Sequence, residues 1–129
     1  MKKFLIESYL KKFSEIKTTT LTAQEDLMWY RLNKLLIEKQ DELNKDKSAI
    51  AEQARKDGVV FLETGQPDLE NSNKEVLDKA NEKTMLLINE DFDAKVLTIE
   101  ILNKIKVENE IPSGQYNYLL ELFLKEEQI

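Results

Sequence analysis

The sequence predicts a mainly α fold: a long antiparallel helical hairpin, coiled-coil-like, with a short β element and flanking helices. Three observations predict it. Neither proline nor glycine occurs between Thr22 and Gly58. Within that stretch Trp29, Leu36, Leu43 and Ile50 recur every seven residues, the spacing that keeps one stripe facing a partner helix. A second helical stripe, Leu77, Ala80, Thr84 and Leu87, follows a proline-containing break at Pro67. The chain has 129 residues, 41% of them apolar and 34% charged, which suits a single domain, 1–129, with a real core.

The first element is a short N-terminal helix over 3–17. Leu5 or Ile6, Tyr9 or Leu10, Phe13 and Ile16 fall at three- and four-residue steps, and Glu7 stands four before Lys11 on the wet side. Thr18, Thr19 and Thr20 then favour an extended link, because β-branched side chains lose freedom in a helix.

The hairpin occupies 22–90. Thr22 and Glu25 have capping-box spacing, so the hydroxyl accepts an orphan amide while the carboxylate reaches back. The helix predicted over 23–57 would be roughly 50 Å long at ~1.5 Å per residue. Gly58 is its natural stop. Leu27, Met28, Leu32 and Leu35 make the early face wide and oily; past Ile37 the companions are Lys39, Gln40, Asp46 and Lys47, with Ala54 alone reinforcing the stripe. Asp41–Lys45 and Glu52–Lys56 add pairs one helical turn apart. Ser72 and Glu75 repeat the capping spacing for the next helix, which is polar early and dense in Met85, Leu86, Leu87 and Ile88 at its end. Opposite gradients match only if the helices run antiparallel.

The connector, 58–72, carries Val59–Glu63 as a strand or hairpin arm closed by the turn residues Thr64–Asp68. At the tip of a hairpin, Val59, Val60, Phe61 and Leu62 are candidates for gripping a protein partner. The remaining region, 94–129, is read as a strand and a C-terminal helix. Val96, Thr98 and Glu100 alternate with Leu97, Ile99 and Ile101, a half-buried strand pattern. A lone strand needs a pairing partner: Val59–Leu62, Lys104–Val107 or another copy of the chain. After Pro112–Gly114, with Ser113 as cap, Tyr116, Leu119, Leu120 and Phe123 line one helix side; Leu122 and Leu124 widen it. Tyr116, Leu120, Phe123 and Leu124 are therefore the second set of candidate interaction residues.

Chemistry is sparse. Histidine and cysteine are absent, which removes His/Cys zinc sites, imidazole acid–base work, thiol nucleophiles and disulfides. Gly58, Gly65 and Gly114 form no phosphate cradle. Glu90, Asp91 and Asp93 are too few and wrongly spaced for a calcium loop and read as a solvated turn. No catalytic, cofactor-binding or metal-ligating residues are expected, and no cofactor. With Lys+Arg 19 against Asp+Glu 25, a net −6 disfavours nucleic acid; Lys2, Lys3, Lys11 and Lys12 read as solvated helix ends. No apolar run approaches the ~18 residues of a membrane span, and Phe4–Ile6 gives way to Glu7 too soon for a secretory signal. A cytoplasmic location is expected.

Leu32-Asn33-Lys34-Leu35-Leu36, the charged Ala54-Arg55-Lys56, Leu86-Leu87 and the alternating strand recur here in a familiar order. With Ile111-Pro112-Ser113-Gly114, Leu119, Leu120, Phe123 and Glu126-Glu127, this order resembles small phage and prophage proteins of uncharacterised function, over residues 27–127. The resemblance implies a viral origin, hence the host cell cytoplasm, a role near structural or assembly genes, and no enzymatic residues to transfer. The N-terminal helix and the Thr18–Thr20 link depart from that pattern. The leading expectation is a noncatalytic interaction or assembly protein acting by self-association or by binding a host or viral protein. The alternative is a viral anti-defence protein that sequesters a small signalling nucleotide, an assembled oligomer supplying a cationic interface pocket although the single chain is acidic. Separately, Trp29 with Tyr30 and Tyr116 with Tyr118 are candidates for enclosing a planar ligand.

Overall fold

The computed structural model describes residues 1–126; Glu127, which belongs to the phage resemblance and to the expected C-terminal helix region, lies outside them. Among the described residues there are five α-helices and no sheet. A 3-10 turn, Lys3–Leu5, leads into α1, Ile6–Ser14; α2 is Ala23–Lys56 and α3 is Lys74–Ile88. Then come α4, Ile99–Glu108, and α5, Ser113–Phe123. No helix is long and apolar enough to cross a membrane, among the described residues.

The long helix α2 begins on its predicted capping box: the Glu25 amide donates to Thr22 Oγ1 at 3.3 Å and the Thr22 amide to Glu25 Oε1 at 2.9 Å. Glu25 also takes Lys104 Nζ at 2.6 Å, which pins α4 to the start of α2. The Lys104 bond first, then the Thr22 amide, hold the Glu25 carboxyl below the usual glutamate range. Gly58 ends the element with φ of 117°, a conformation that costs a side-chain-bearing residue strain. Leu36 and Leu43 of the heptad stripe are buried, while Trp29 and Ile50 are half-buried. The ion pairs on α2 are Lys39–Glu42 at 3.4 Å and Glu52–Arg55 at 2.8 Å, three residues apart, in place of Asp41–Lys45 and Glu52–Lys56.

Two packed regions hang on α2. The main core joins Ile6, Tyr9 and Phe13 of α1 with Leu32 and Leu36 of α2, Ile101, Leu102 and Ile105 of α4, and Tyr116, Leu119 and Phe123 of α5. Rings knit it together: Phe123 meets Tyr9 and Phe13 edge-on, each at 5.2 Å between centroids, and Phe13 lies 4.7 Å from Trp29. The distal cluster is small: Ala54 of α2, Val59 of the connector and Leu77 of α3, with Phe61, Val76 and Ala80 against them. Leu36 and Ala54 are separated by roughly 27 Å of helix at ~1.5 Å per residue.

This division corrects the expected matching of oily helix ends. On the wide early face of α2, Leu32 is buried and Met28 half-buried in a core shared with α1, α4 and α5, Leu27 stays 47% exposed, and α3 gives that core no buried residue. At the end of α3, Leu87 and Ile88 are half-buried, but Met85 and Leu86 remain 57% and 67% exposed. The groove where α2 meets α3 is lined by Ile50, Gln53, Ala54 and Asp57 on one side and Val76, Lys79, Ala80 and Lys83 on the other.

Four further expectations are corrected. Residues 96–101 do not form a strand. Thr98 is the N-cap of α4, its Oγ1 accepting from the Ile101 amide at 3.4 Å, and Ile101, Leu102 and Ile105 share the buried helical face. The alternation was short enough to satisfy both periods, and the cap decided. The short β element reduces to isolated bridges, Phe61 with Pro67, Leu97 with Leu124 and Lys2 with Asp91. Leu97 donates to the Phe123 carbonyl at 2.9 Å and accepts from the Lys125 amide at 2.7 Å, so its backbone is satisfied within the chain and needs no outside strand. Asn73, not Ser72, caps α3, because Ser72 Oγ is engaged with the Val60 backbone. Pro112 occupies the N-cap position of α5 and Ser113 is already helical.

The link between α1 and α2 is clasped by the end of α4. The Glu108 carboxylate accepts from the amides and hydroxyls of both Thr19 and Thr20. Asn109 brackets Lys17 through its amide and carbonyl, each at 2.8 Å. The bonds from Thr19 and Thr20 hold the Glu108 carboxyl below its ordinary value, the Thr19 hydroxyl foremost.

Candidate interaction site

The connector between α2 and α3 is a fastened structure. The Val59 amide donates to the Ala54 carbonyl at 2.9 Å, and the Asn73 amide to the Gly58 carbonyl at 3.0 Å, closing the base of the loop. A Cβ on Gly58 would stand 3.3 Å from Asn73 Cβ, so the closure favours glycine for space as well as for φ. Above the base, Asp68 N reaches the Val60 carbonyl and Leu62 N the Gln66 carbonyl, each at 2.7 Å, with Gly65 turning at φ of 86°. Ser72 Oγ both accepts from the Val60 amide at 2.9 Å and donates to the Val60 carbonyl at 3.2 Å. Asp68 closes the far side by accepting from the Glu70 and Asn71 amides and from the Asn71 carboxamide at 2.8 Å. The Asn71 side chain is the main reason its carboxyl is lowered below the usual range.

On this frame side chains divide sharply. Val59 is 2% exposed and belongs to the distal cluster. Phe61 is half-buried, with the Arg55 guanidinium 5.3 Å over its ring. Val60, Leu62 and Leu69 point outward at 46%, 49% and 74% exposure. Of the four connector candidates, Val60 and Leu62 are thus available at the surface, Phe61 partly so, and Val59 not. Leu69 was missed by the sequence reading; its signal was a leucine between Asp68 and Glu70 in a turn segment, where no core periodicity requires one.

The C-terminal candidates have another fate. Phe123 is fully buried and Tyr116 is 8% exposed, both in the main core; Leu120 and Leu124 are half-buried against it. The Tyr116 hydroxyl donates to Asn103 Oδ1, Lys106 Nζ lies 4.7 Å over the Tyr116 ring, and burial raises the phenol above its ordinary value. The broad oily face of α5 is occupied from within.

A second concave feature lies between α1 and the α4–α5 turn. It holds about 300 Å³ and is lined by Tyr9, Phe13, Ile16, Ile111, Tyr118 and Leu119 together with the polar side chains of Lys12, Glu15, Asn109 and Gln115. Burial, followed by neighbouring Tyr118 and Glu121, raises the Tyr9 phenol. Of the four aromatic residues considered for a planar ligand, Tyr118 alone lines this groove; Trp29 packs against Phe13, and Tyr116 is in the core.

The acidic residues after α3 are used in ion pairs and turns. Asp91 meets Lys2 at 2.8 Å and Glu90 meets Lys3 at 3.0 Å; Asp93 Oδ1 accepts from the Lys95 amide at 2.9 Å. Among the described residues no group of three or more acidic side chains is arranged to hold a metal ion. No family model, curated protein or solved structure matches the chain.

Proposed function

We propose that this chain is a noncatalytic interaction protein, of phage or prophage origin, that presents the 58–72 connector to a protein partner on a helical arm. In this reading α2 and α3 form an antiparallel, coiled-coil-like hairpin. Contact between the last turns of α2 and the first turns of α3 supports that arrangement, as does the Lys3 amide bonding the Glu90 carbonyl beyond the end of α3, at 3.1 Å. The observation that carries the function is the outward display of Val60, Leu62 and Leu69 on a loop whose backbone is hydrogen-bonded on both sides. Three exposed apolar side chains gathered on one short, fastened loop support a docking role.

Affinity capture from host or infected cells, with the intact chain and with 60–69 replaced by a glycine–serine linker, tests the location. Loss of a stoichiometric partner on replacement supports the arm; unchanged capture refutes it. Self-association is the companion proposal. The exposed side chains Leu27, Tyr30 and Ile37 share one face of α2, off the heptad stripe, and support it. Light scattering with crosslinking at micromolar concentration decides it: a strict monomer removes self-association.

The groove beside Tyr9 and Tyr118 favours the second reading, a small-molecule-binding protein that sequesters a planar ligand such as a nucleotide. Retention of a metabolite through purification, followed by calorimetry with Tyr118→Ala, separates it from the first. Ligand-free protein with no heat on nucleotide addition excludes this reading.

A further inference from the structure

We infer that the tip of the arm is built for a basic, amphipathic segment of another protein and not for a second copy of itself. This deepens the arm reading and rests on it. From Asp57 to Asn73 the chain carries Asp57, Glu63, Asp68 and Glu70 and no lysine or arginine. Four acidic charges thus fall in one short segment of a chain whose whole net charge is −6. They are interleaved with the exposed apolar groups: Glu63 follows Leu62, and Asp68 and Glu70 flank Leu69.

Among the described residues no ion pair engages these carboxylates, and the flanking cations Lys56 and Lys74 stand at the base of the loop, below the exposed apolar side chains. Glu63 and Glu70 are exposed and form no ion pair among the described residues. Arg55, the cation that touches the loop through the Phe61 ring, is already paired with Glu52 at 2.8 Å. Asp68 keeps its carboxylate fixed by three hydrogen bonds from Glu70 and Asn71. The apolar side chains supply the contact area, and the surrounding carboxylates select the sign of what approaches. Two tips brought face to face would oppose like charges at distances shorter than the ~8 Å screening length of physiological salt. Nucleic acid and anionic lipid headgroups are disfavoured by the same repulsion. A helix or strand bearing leucine-like residues with lysine or arginine beside them satisfies both parts. The loop's closed hydrogen-bond frame lowers the ordering cost of binding it.

The test uses three labelled peptides and the full chain at physiological ionic strength: an amphipathic Leu/Lys peptide, its Leu/Glu counterpart, and a Ser/Lys peptide with the apolar face removed. Fluorescence anisotropy gives affinity, and amide chemical-shift mapping gives location. The Leu/Lys peptide is expected to bind and to perturb residues 58–72. Leu62→Ser with Leu69→Ser, and separately Glu63→Gln with Glu70→Gln, should each weaken it about fivefold or more, equivalent to roughly 1 kcal/mol. The other two peptides should bind more weakly by a similar factor. All four positions are exposed, so folding is retained, and circular dichroism of each variant verifies it.

Equal binding of the Leu/Glu peptide at 58–72 would overturn the basic partner while leaving the arm reading intact. Leu/Lys binding that is indifferent to the leucine substitutions, or maps elsewhere, would reduce the attraction to bulk acidity and overturn the inference. Failure of every peptide to perturb 58–72 would overturn it as well, with the arm itself still judged by the linker replacement. Concentration-dependent dimerisation abolished by Leu62→Ser with Leu69→Ser would assign the tip to a second copy.

Discussion

Phe123 provides the sharpest test of how the body of this protein is held. Its ring is fully buried and makes edge-on contacts with Tyr9 and Phe13, both at 5.2 Å. Replacing it with alanine removes the ring's transfer free energy, leaves a cavity that α1, α4 and α5 cannot all close, and breaks both ring contacts. Buried Phe→Ala substitutions cost about 3–5 kcal/mol, and ring pairs add about 0.5–1.5 kcal/mol beyond burial. A value of about 4 kcal/mol is expected, a large part of the ~5–15 kcal/mol stability of an ordinary domain. In urea, with a slope of ~2 kcal/mol/M, the midpoint should fall by about 2 M. Tyr118→Ala, at a position 63% exposed on the same helix, is the control and should stay within about 0.5 kcal/mol. A Phe123→Ala midpoint within about 0.5 M of the parent, at unchanged slope, would refute the packing of α5 described above and reopen its face as a docking surface.

Thr22→Ala removes the hydroxyl half of the α2 capping box and should cost about 1 kcal/mol in equilibrium unfolding. Gly58→Ala forces a side chain into φ of 117° and toward Asn73; a loss of about 1 kcal/mol or more is expected, with faster amide exchange in 59–80 than in α4. The Glu108 clasp predicts a pH dependence. Its folded carboxyl titrates below the unfolded value of about 4.5, so its stabilisation is present above that pH and is lost as pH falls through the lowered folded value. Thermal melts of the parent and Glu108→Gln should therefore differ at neutral pH and converge in strong acid; a constant difference across that range would refute the clasp.

Local signals in the sequence were legible where one residue type has one physical role. The Thr22–Glu25 pair and Gly58 fixed both ends of α2 nearly to the residue, since capping and positive φ are local requirements. The hydrophobic stripe identified Leu36 and Leu43 as buried. What covers a stripe is not local. Leu32 and Leu36 read the same whether α3 or α1 faces them, and the choice of α1, α4 and α5 emerges only when all helices compete for the same face. The alternation around Leu97–Ile101 failed for a related reason: over so few residues a period of two and a helical face share members, and the Thr98 hydroxyl tipped the balance. At the site, Val60 and Leu62 were visible as apolar residues in a turn-rich segment, but Val59 is core and Tyr116 and Phe123 are core. Apolar character alone does not say whether a residue serves the fold or the surface.

The slenderness of α2 between its two packed regions has a consequence for how the molecule opens. The outer region closes around Ala54, Val59 and Leu77 with Phe61, Val76 and Ala80 against them, whereas the inner one locks together side chains from four helices. Such unequal halves melt in sequence, the outer end loosening at a free energy well below that of global unfolding. A ligand seated on the outer end would therefore freeze a part of the chain that otherwise breathes, and its grip would be felt first as slowed exchange along 59–80, long before the inner helices register any change.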